Sequence, residues 1–407
     1  MRKAVPILLG AETALLGLLY LYLCRRCGPF GFPLDDSWIH ATFARNIAEG
    51  KGIVYNVGQP MTSTAMLYSL ILAGLYAVTK APVANAIALG LLLHFGSGML
   101  VYLIGRRLSL NPVLSFSAAA LMIAIPRLVW GAVSGMEVPL YVFLVCLGIY
   151  WHTRYSWTDG AKAHLAALAF AVAALARPEC GFFAACSVVD RLFRRLRSGP
   201  RIGRWQAMVK YVLIDAAILC AIVAPLALYN IHSYGKPLPP AFYAKVSGAS
   251  SAIDGYVVSD LLQQASFVWA AVYATAHLNP VLGLLMAPGV FFFLRAAGKG
   301  KEAVSLLLPL AFLCVPLATG IAARIARDPV AQFGFQHGRY SAYLGPLLAL
   351  IGIAGLAQLL ELLRNQASRR VVAAGFLSAA VAFVLLANWS CAKTYGLEVQ
   401  NINDMQV

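Results

Sequence analysis

The sequence predicts an all-α polytopic membrane protein, and three observations carry that prediction. Hydrophobic residues make up 60% of the chain and charged residues 12%, against roughly 25% charged in a soluble domain. The apolar residues fall in long runs without alternation, which excludes an outer-membrane barrel and a disordered chain. Basic residues gather between the runs and outnumber acidic ones, 32 to 16, for a net charge of +16. In a soluble domain that excess would suggest nucleic acid. Here positive-inside anchoring on an anionic leaflet explains it, so membrane lipids are expected partners and nucleic acid is not.

The apolar runs, in order, are 4–24, 64–79, 83–105, 112–130, 136–152, 162–177, 180–190, 207–229, 262–278, 280–294, 303–323, 341–363 and 371–391. Arg191, Arg194, Arg195, Arg197, Arg201 and Arg204 form the densest basic cluster, which should face the cytoplasm. Arg106/Arg107, Arg295/Lys299/Lys301 and Arg364/Arg369/Arg370 should share that side. Thirteen spans from a cytoplasmic N-terminus would put two of these clusters outside. The conflict disappears if 64–79 and 262–278, both at the lower length limit for a span, lie at the outer interface. About 11 transmembrane helices remain, in the inner (cytoplasmic) membrane, with the N-terminus inside and the C-terminus outside. Cys24 and Cys27 flank a membrane boundary and read as two unpaired thiols.

This topology gathers unusual ionisable residues on the outer face. The first outer loop, 25–82, holds Asp35 and Asp36, an amphipathic stretch 38–49 and the interfacial run. Short outer turns present Glu137 and Arg177-Pro178-Glu179. The long outer loop 230–279 holds Lys236 and Lys245, and the loop 324–340 holds His337 and Arg339. Asp35-Asp36 follows Gly28-Pro-Phe-Gly-Phe-Pro33, a chain break. Adjacent carboxylates at a span end must be solvated, paired or bound to a cation. They can cap the helix over 38–49, and a carboxylate can also serve as general base toward a hydroxyl.

Asp35-Asp36-Ser-Trp-Ile-His-Ala-Thr-Phe-Ala-Arg45-Asn46, then Gly50-Lys-Gly52 and Asn56-Val-Gly58-Gln-Pro60, resembles the first outer loop of GT-C superfamily glycosyltransferases that use polyprenyl-phosphate sugars. The likeness is nearest to the branch with the mycobacterial terminal β-(1→2)-arabinofuranosyltransferase and bacterial mannosyltransferase-like proteins. Ser134-Gly-Met-Glu137, Arg177-Pro-Glu179, Tyr234-Gly235 through Tyr243-Ala-Lys245, and Gly338-Arg339-Tyr340 are similar to further family motifs, in the same order. Gln59 stands where the family has Glu, Thr62-Ser63-Thr64 replaces a Gly-Tyr-Thr-Ser string, and Pro240-Ala241 replaces Asn-Thr. Sugar identity is therefore open.

The resemblance implies a GT-C-like transmembrane domain over 1–391. Residues 392–407 would be an extracytoplasmic tail that looks like the start of a soluble domain. It implies an inverting glycosyltransferase with a polyprenyl-phosphate sugar donor and a cell-envelope glycan, lipid or protein acceptor. Asp36, or Asp35, would be the general base. Glu137 and Glu179 would orient the acceptor, and Asp35 with Glu137 could hold a divalent cation, Mg or Mn. Arg339, Lys245, His337 and Lys236 would grip the donor phosphate. Arg177-Pro178-Glu179 reads as a turn that pairs locally. Competing readings are a transporter or flippase of lipid-linked sugars, which usually carries internal repeats and midplane charges, and a GT-C-fold glycan ligase.

Overall fold

The computed structural model describes residues 3–156, 158, 160–197, 202–240, 243, 278–298, 305–323 and 341–405. The run 262–278 therefore lies, but for its last residue, outside the described residues. So do the loop 324–340 and most of 230–279.

Local sequence sets where the helices begin. Proline fits the first turn, where its missing N–H is not needed. It stands there in α4 (Pro82–Arg107), α5 (Pro112–Ile123), α6 (Pro126–Val133), α7 (Val138–Tyr155) and α11 (Pro280–Leu284). Asn111 and Asn279 add side-chain caps, the former accepting from Leu114 N–H at 2.9 Å. The remaining elements are α1 (Ala4–Cys27), α2 (Asp35–Ala48), α3 (Met66–Thr79), α8 (Leu165–Ala176), α9 (Gly181–Arg197), α10 (Ile202–Tyr234), α12 (Met286–Gly298), α13 (Leu307–Ala323), α14 (Leu344–Leu362) and α15 (Gln366–Met405). Short 3₁₀ turns precede α8 and α9. The described residues contain no strand beyond an isolated bridge between Val54 and Pro60.

Among the described residues, five helices are long and apolar enough to cross a bilayer. They are α1, α4, most of α10, α14 and α15, and the count is six if α5 and α6 are one broken span. The eleven spans expected from hydropathy are therefore not matched one to one. The run 112–130 bends by 57° between α5 and α6, where Pro126 starts a new helix. The runs 64–79 and 162–177 become short helices, α3 and α8, of 14 and 12 residues. At 1.5 Å per residue these are about 21 and 18 Å long, short of the roughly 30 Å hydrocarbon layer. Apolar composition alone cannot separate a spanning helix from a short one packed inside a bundle.

The core centres on α14, where every residue from Leu344 to Leu356 is buried. It packs on α12, where an added Cβ on Gly289 would fall 2.1 Å from the Ile351 carbonyl, so the two backbones touch directly. Around this pair, α7 lies between α4 and α8, α3 packs on α2, and α1 packs on α15. Ile7, Leu8, Leu15 and Leu18 of α1 are exposed, as are Leu385, Leu386 and Trp389 of α15. An apolar surface that extensive suits lipid rather than water. All eight cysteines are free thiols, Cys24 and Cys27 among them. α15 continues unbroken through residue 391 to Met405.

Because α7, α8 and α9 alternate in direction, their ends collect in two sets. The start of α7, the end of α8 and the start of α9 share one end of the bundle with α2. The end of α7, the start of α8 and the arginine-rich half of α9 share the other.

Candidate functional site

The site is built on the break before α2. Phe32 is fully buried and stacks edge-on against Trp38, ring centroids 4.8 Å apart. Above it lies the Ser134-Gly135-Met136-Glu137 turn. Gly135 has φ +74°, and a Cβ there would fall 2.3 Å from the Phe32 ring. The glycine is thus required both for the left-handed backbone and for the close approach. Ser37 donates its hydroxyl to the Ser134 carbonyl at 2.8 Å, pinning the first turn of α2 to this turn.

Asp35 is exposed, and its Oδ1 accepts from the Asp36 N–H at 2.8 Å, so it serves the start of α2. Asp36 is half-buried. It stands four residues before His40, which puts both on one face of α2. His40 is 4% exposed, and its Nε2 is 3.4 Å from Glu137 Oε2. Its Nδ1 is 3.2 Å from the hydroxyls of both Ser63 and Ser69. The Tyr68 ring meets the imidazole edge-on at 5.4 Å. Burial, with Glu137 close by, raises the Tyr68 phenol well above its ordinary range, so it is neutral.

Glu137 precedes α7 and is 4% exposed. Arg177 Nη1 donates to its Oε1 at 2.7 Å, and Arg177 Nε donates to Glu179 Oε1 at 2.5 Å. Arg177 also lies over the Tyr141 ring, 5.4 Å from its centroid. The local pairing of Arg177 with Glu179 is present, together with a second arm to a carboxylate 40 residues away. Arg177 is reached because the residue before a proline is driven out of the helical region. Its φ of −153° and ψ of 120° end α8 and turn the side chain back.

The chain after residue 391 supports the same end. Tyr395 donates its hydroxyl to the Val133 carbonyl at 2.9 Å, and Trp130 Nε1 donates to Glu398 at 3.0 Å. Asn403 donates to the Pro29 carbonyl at 3.2 Å. Thr62 donates to Asn230 at 2.8 Å, tying this end to α10. Thr62 and Ser63 thus hold the protein together.

Of the candidate residues, Glu137 and Glu179 come together on Arg177 with His40 beside Glu137, and Asp36 stands one turn before His40 on α2. Lys236 is exposed, with its amine 4.7 Å over the Tyr243 ring. Lys245, His337 and Arg339 lie outside the described residues. Sequence reasoning missed His40, whose one visible signal is its place four residues after Asp36. Among the described residues, no three His, Cys, Asp or Glu side chains stand together as a metal site. Glu137 is engaged through Oε1 by the Arg177 guanidinium, and Asp35 through Oδ1 by a backbone N–H.

No family model matches the chain, and no curated protein matches it in sequence. Among solved structures it is similar to the Archaeoglobus fulgidus oligosaccharyltransferase tethered with an acceptor peptide containing the NVT sequon. The TM-score is 0.59 at 11% identity, over 96% of this chain and 55% of that one. For the complex of that protein with Zn and sulfate the values are 0.58, 13%, 95% and 53%. For its apo form they are 0.58, 12%, 95% and 56%. The chain spans about half the length of the chains it matches. What the likeness establishes is the architecture: an all-α, GT-C-type membrane fold.

Proposed function

We propose that the chain is an inverting glycosyltransferase that moves a sugar from a polyprenyl-phosphate donor to a cell-envelope glycan, lipid or protein acceptor. The reaction would occur on the extracytoplasmic side of the inner membrane. One observation supports this most: α2 brings His40 against the Glu137–Arg177 pair and carries Asp36 one turn before it, at one end of a GT-C fold. Sharing that fold with an oligosaccharyltransferase favours transfer over transport. The loop motifs favour a single sugar on a lipid monophosphate, of the arabinofuranosyl or mannosyl kind.

In this reading the acceptor oxygen attacks the anomeric carbon while the carbon–oxygen bond to phosphate breaks. Asp36 takes the acceptor's proton, and polyprenyl phosphate leaves with the bonding pair. Asp36 suits the role better than Asp35 because it stands one helical turn before His40, which lies against Glu137. Arg177 holds Glu137 and Glu179 in place for the acceptor hydroxyls. Lys236, Lys245, His337 and Arg339 are the cations assigned to the departing phosphate. No step is routed through Mg or Mn.

The test uses purified protein with synthetic polyprenyl-phosphate arabinofuranose and mannose, radiolabelled in the sugar, and envelope glycan fragments as acceptor. Asp36→Asn is expected to lower transfer by at least about 100-fold with an unchanged unfolding midpoint, while Asp35→Asn keeps most of the rate. Wild-type activity in Asp36→Asn would remove the proposed base.

A further inference from the structure

We infer that His40 is a positioning residue that works as a fixed Nε2–H tautomer: the Ser63 and Ser69 hydroxyls lock its Nδ1, and its Nε2–H holds Glu137 against the helix face that carries Asp36. The inference deepens the transferase reading and rests on it for its kinetic arm alone.

The neighbours of the two ring nitrogens favour one tautomer. Nδ1 has the hydroxyls of Ser63 and Ser69 each 3.2 Å away, and either can donate. Nε2 faces the carboxylate that Arg177 holds, which only accepts, so the ring proton belongs on Nε2, with Glu137 Oε2 3.4 Å away. That distance is longer than a good hydrogen bond. Contacts of this kind at reaction centres commonly tighten once substrate is bound.

The surroundings point the same way. Around the ring stand Glu137 before α7, Tyr68 and Ser69 of α3, Ser63 ahead of α3, and Asp36 one turn earlier on α2. Beyond Glu137 stand Arg177 and Glu179. The Tyr68 hydroxyl is fully buried and has no hydrogen-bond partner among the described residues. It is a neutral wall beside the ring. Losing the imidazole would free Glu137 from the α2 face without removing a group that touches substrate.

Two measurements test this. Nitrogen-15 histidine spectra of the detergent-solubilised chain need no substrate. His40 is expected to show the Nε2–H signature, and its resonances should move in both Ser63→Ala and Glu137→Gln. An Nδ1–H signature, or resonances indifferent to both variants, overturns the lock. In the kinetic arm, with the same labelled donors, His40→Ala should lower kcat about 10- to 100-fold with little change in donor KM. His40→Gln keeps an N–H near Glu137 and should restore most of the rate. An unchanged rate in His40→Ala overturns the positioning role. If the spectra behave as stated and neither donor is turned over, the transferase reading fails and the lock stands.

Discussion

A histidine–carboxylate–arginine cluster stands at each end of α7, α8 and α9, one of them completed by His40 of α2, and the two are built differently. At the end away from α2, Asp190 is fully enclosed and saturated. His152 Nε2 lies 2.7 Å from it, Arg194 2.9 Å, and the Ser305 hydroxyl and Leu306 N–H each donate at 2.8 Å. Burial by itself would raise this carboxyl. Its hydrogen bond to His152, the neighbouring Arg194 and the Ser305 hydroxyl outweigh it and hold the group at about 2. About 22 Å away along α7, counting 1.5 Å per residue from Glu137 to His152, the matching contact is 3.4 Å. That second cluster lies beside a helix whose first residues are two carboxylates, one of them exposed. Short, saturated bonds make a clamp between elements; a looser contact beside accessible acids leaves room for a ligand to rearrange it.

That contrast can be broken at the clamp first. Asp190→Asn would strand His152, Arg194 and the α13 entry at once. Removing one partner of a buried ion pair costs about 3–5 kcal/mol, which thermal unfolding in detergent would register. Asp190 has a folded pKa below its ordinary 3.8, so its contribution is present above that value and is lost as pH falls toward about 2. The gap in midpoint between wild type and Asp190→Asn should therefore close over that window. A gap that stays constant would show that the carboxylate charge is not what clamps.

Arg177→Ala sharpens the comparison from the other end. Glu137 loses its guanidinium while remaining buried, so we expect about 3 kcal/mol of destabilisation. Unlike the Asp190 change, it should also depress transfer per folded molecule. Equal loss of stability with a normal rate per folded molecule would make this cluster a second clamp. On transfer per folded molecule the smallest effect expected is that of Gly135→Ala, which leaves the charges in place. Forcing a non-glycine residue into the left-handed region costs about 1–3 kcal/mol, and the Phe32 ring must shift besides. Unfolding of that variant, read beside Arg177→Ala, separates the shape of the turn from its charge.

Much of the scaffold is legible in the chain. The apolar runs at 4–24, 83–105, 341–363 and 371–391 each contain a helix long enough to span, and the break at Gly28–Pro33 does precede a helix that opens on Asp35. Where an apolar run and a spanning helix differ among the described residues, the cause is proline and shortness. Pro126 splits one run, and α8 is a 12-residue helix inside the bundle. The site was legible in parts. Asp35-Asp36, Glu137 and Glu179 stand out as carboxylates at run boundaries. His40 does not, because the hydroxyls that fix its ring are 23 and 29 residues away. The support given by Tyr395, Glu398 and Asn403 also joins segments far apart in the chain, where no local pattern marks the pairing.

Sequence by itself determined that this chain is a helical membrane protein. So apolar a chain must satisfy its backbone polar groups within each helix once water is gone, and prolines with their caps then set where helices start. Only the tertiary structure decided which acid meets which base: Glu137 with Arg177, Asp190 with His152, and His40 between two serines and a glutamate. Charge pairing away from water turns on differences of a few ångströms, and distance along the chain does not fix distance across a bundle.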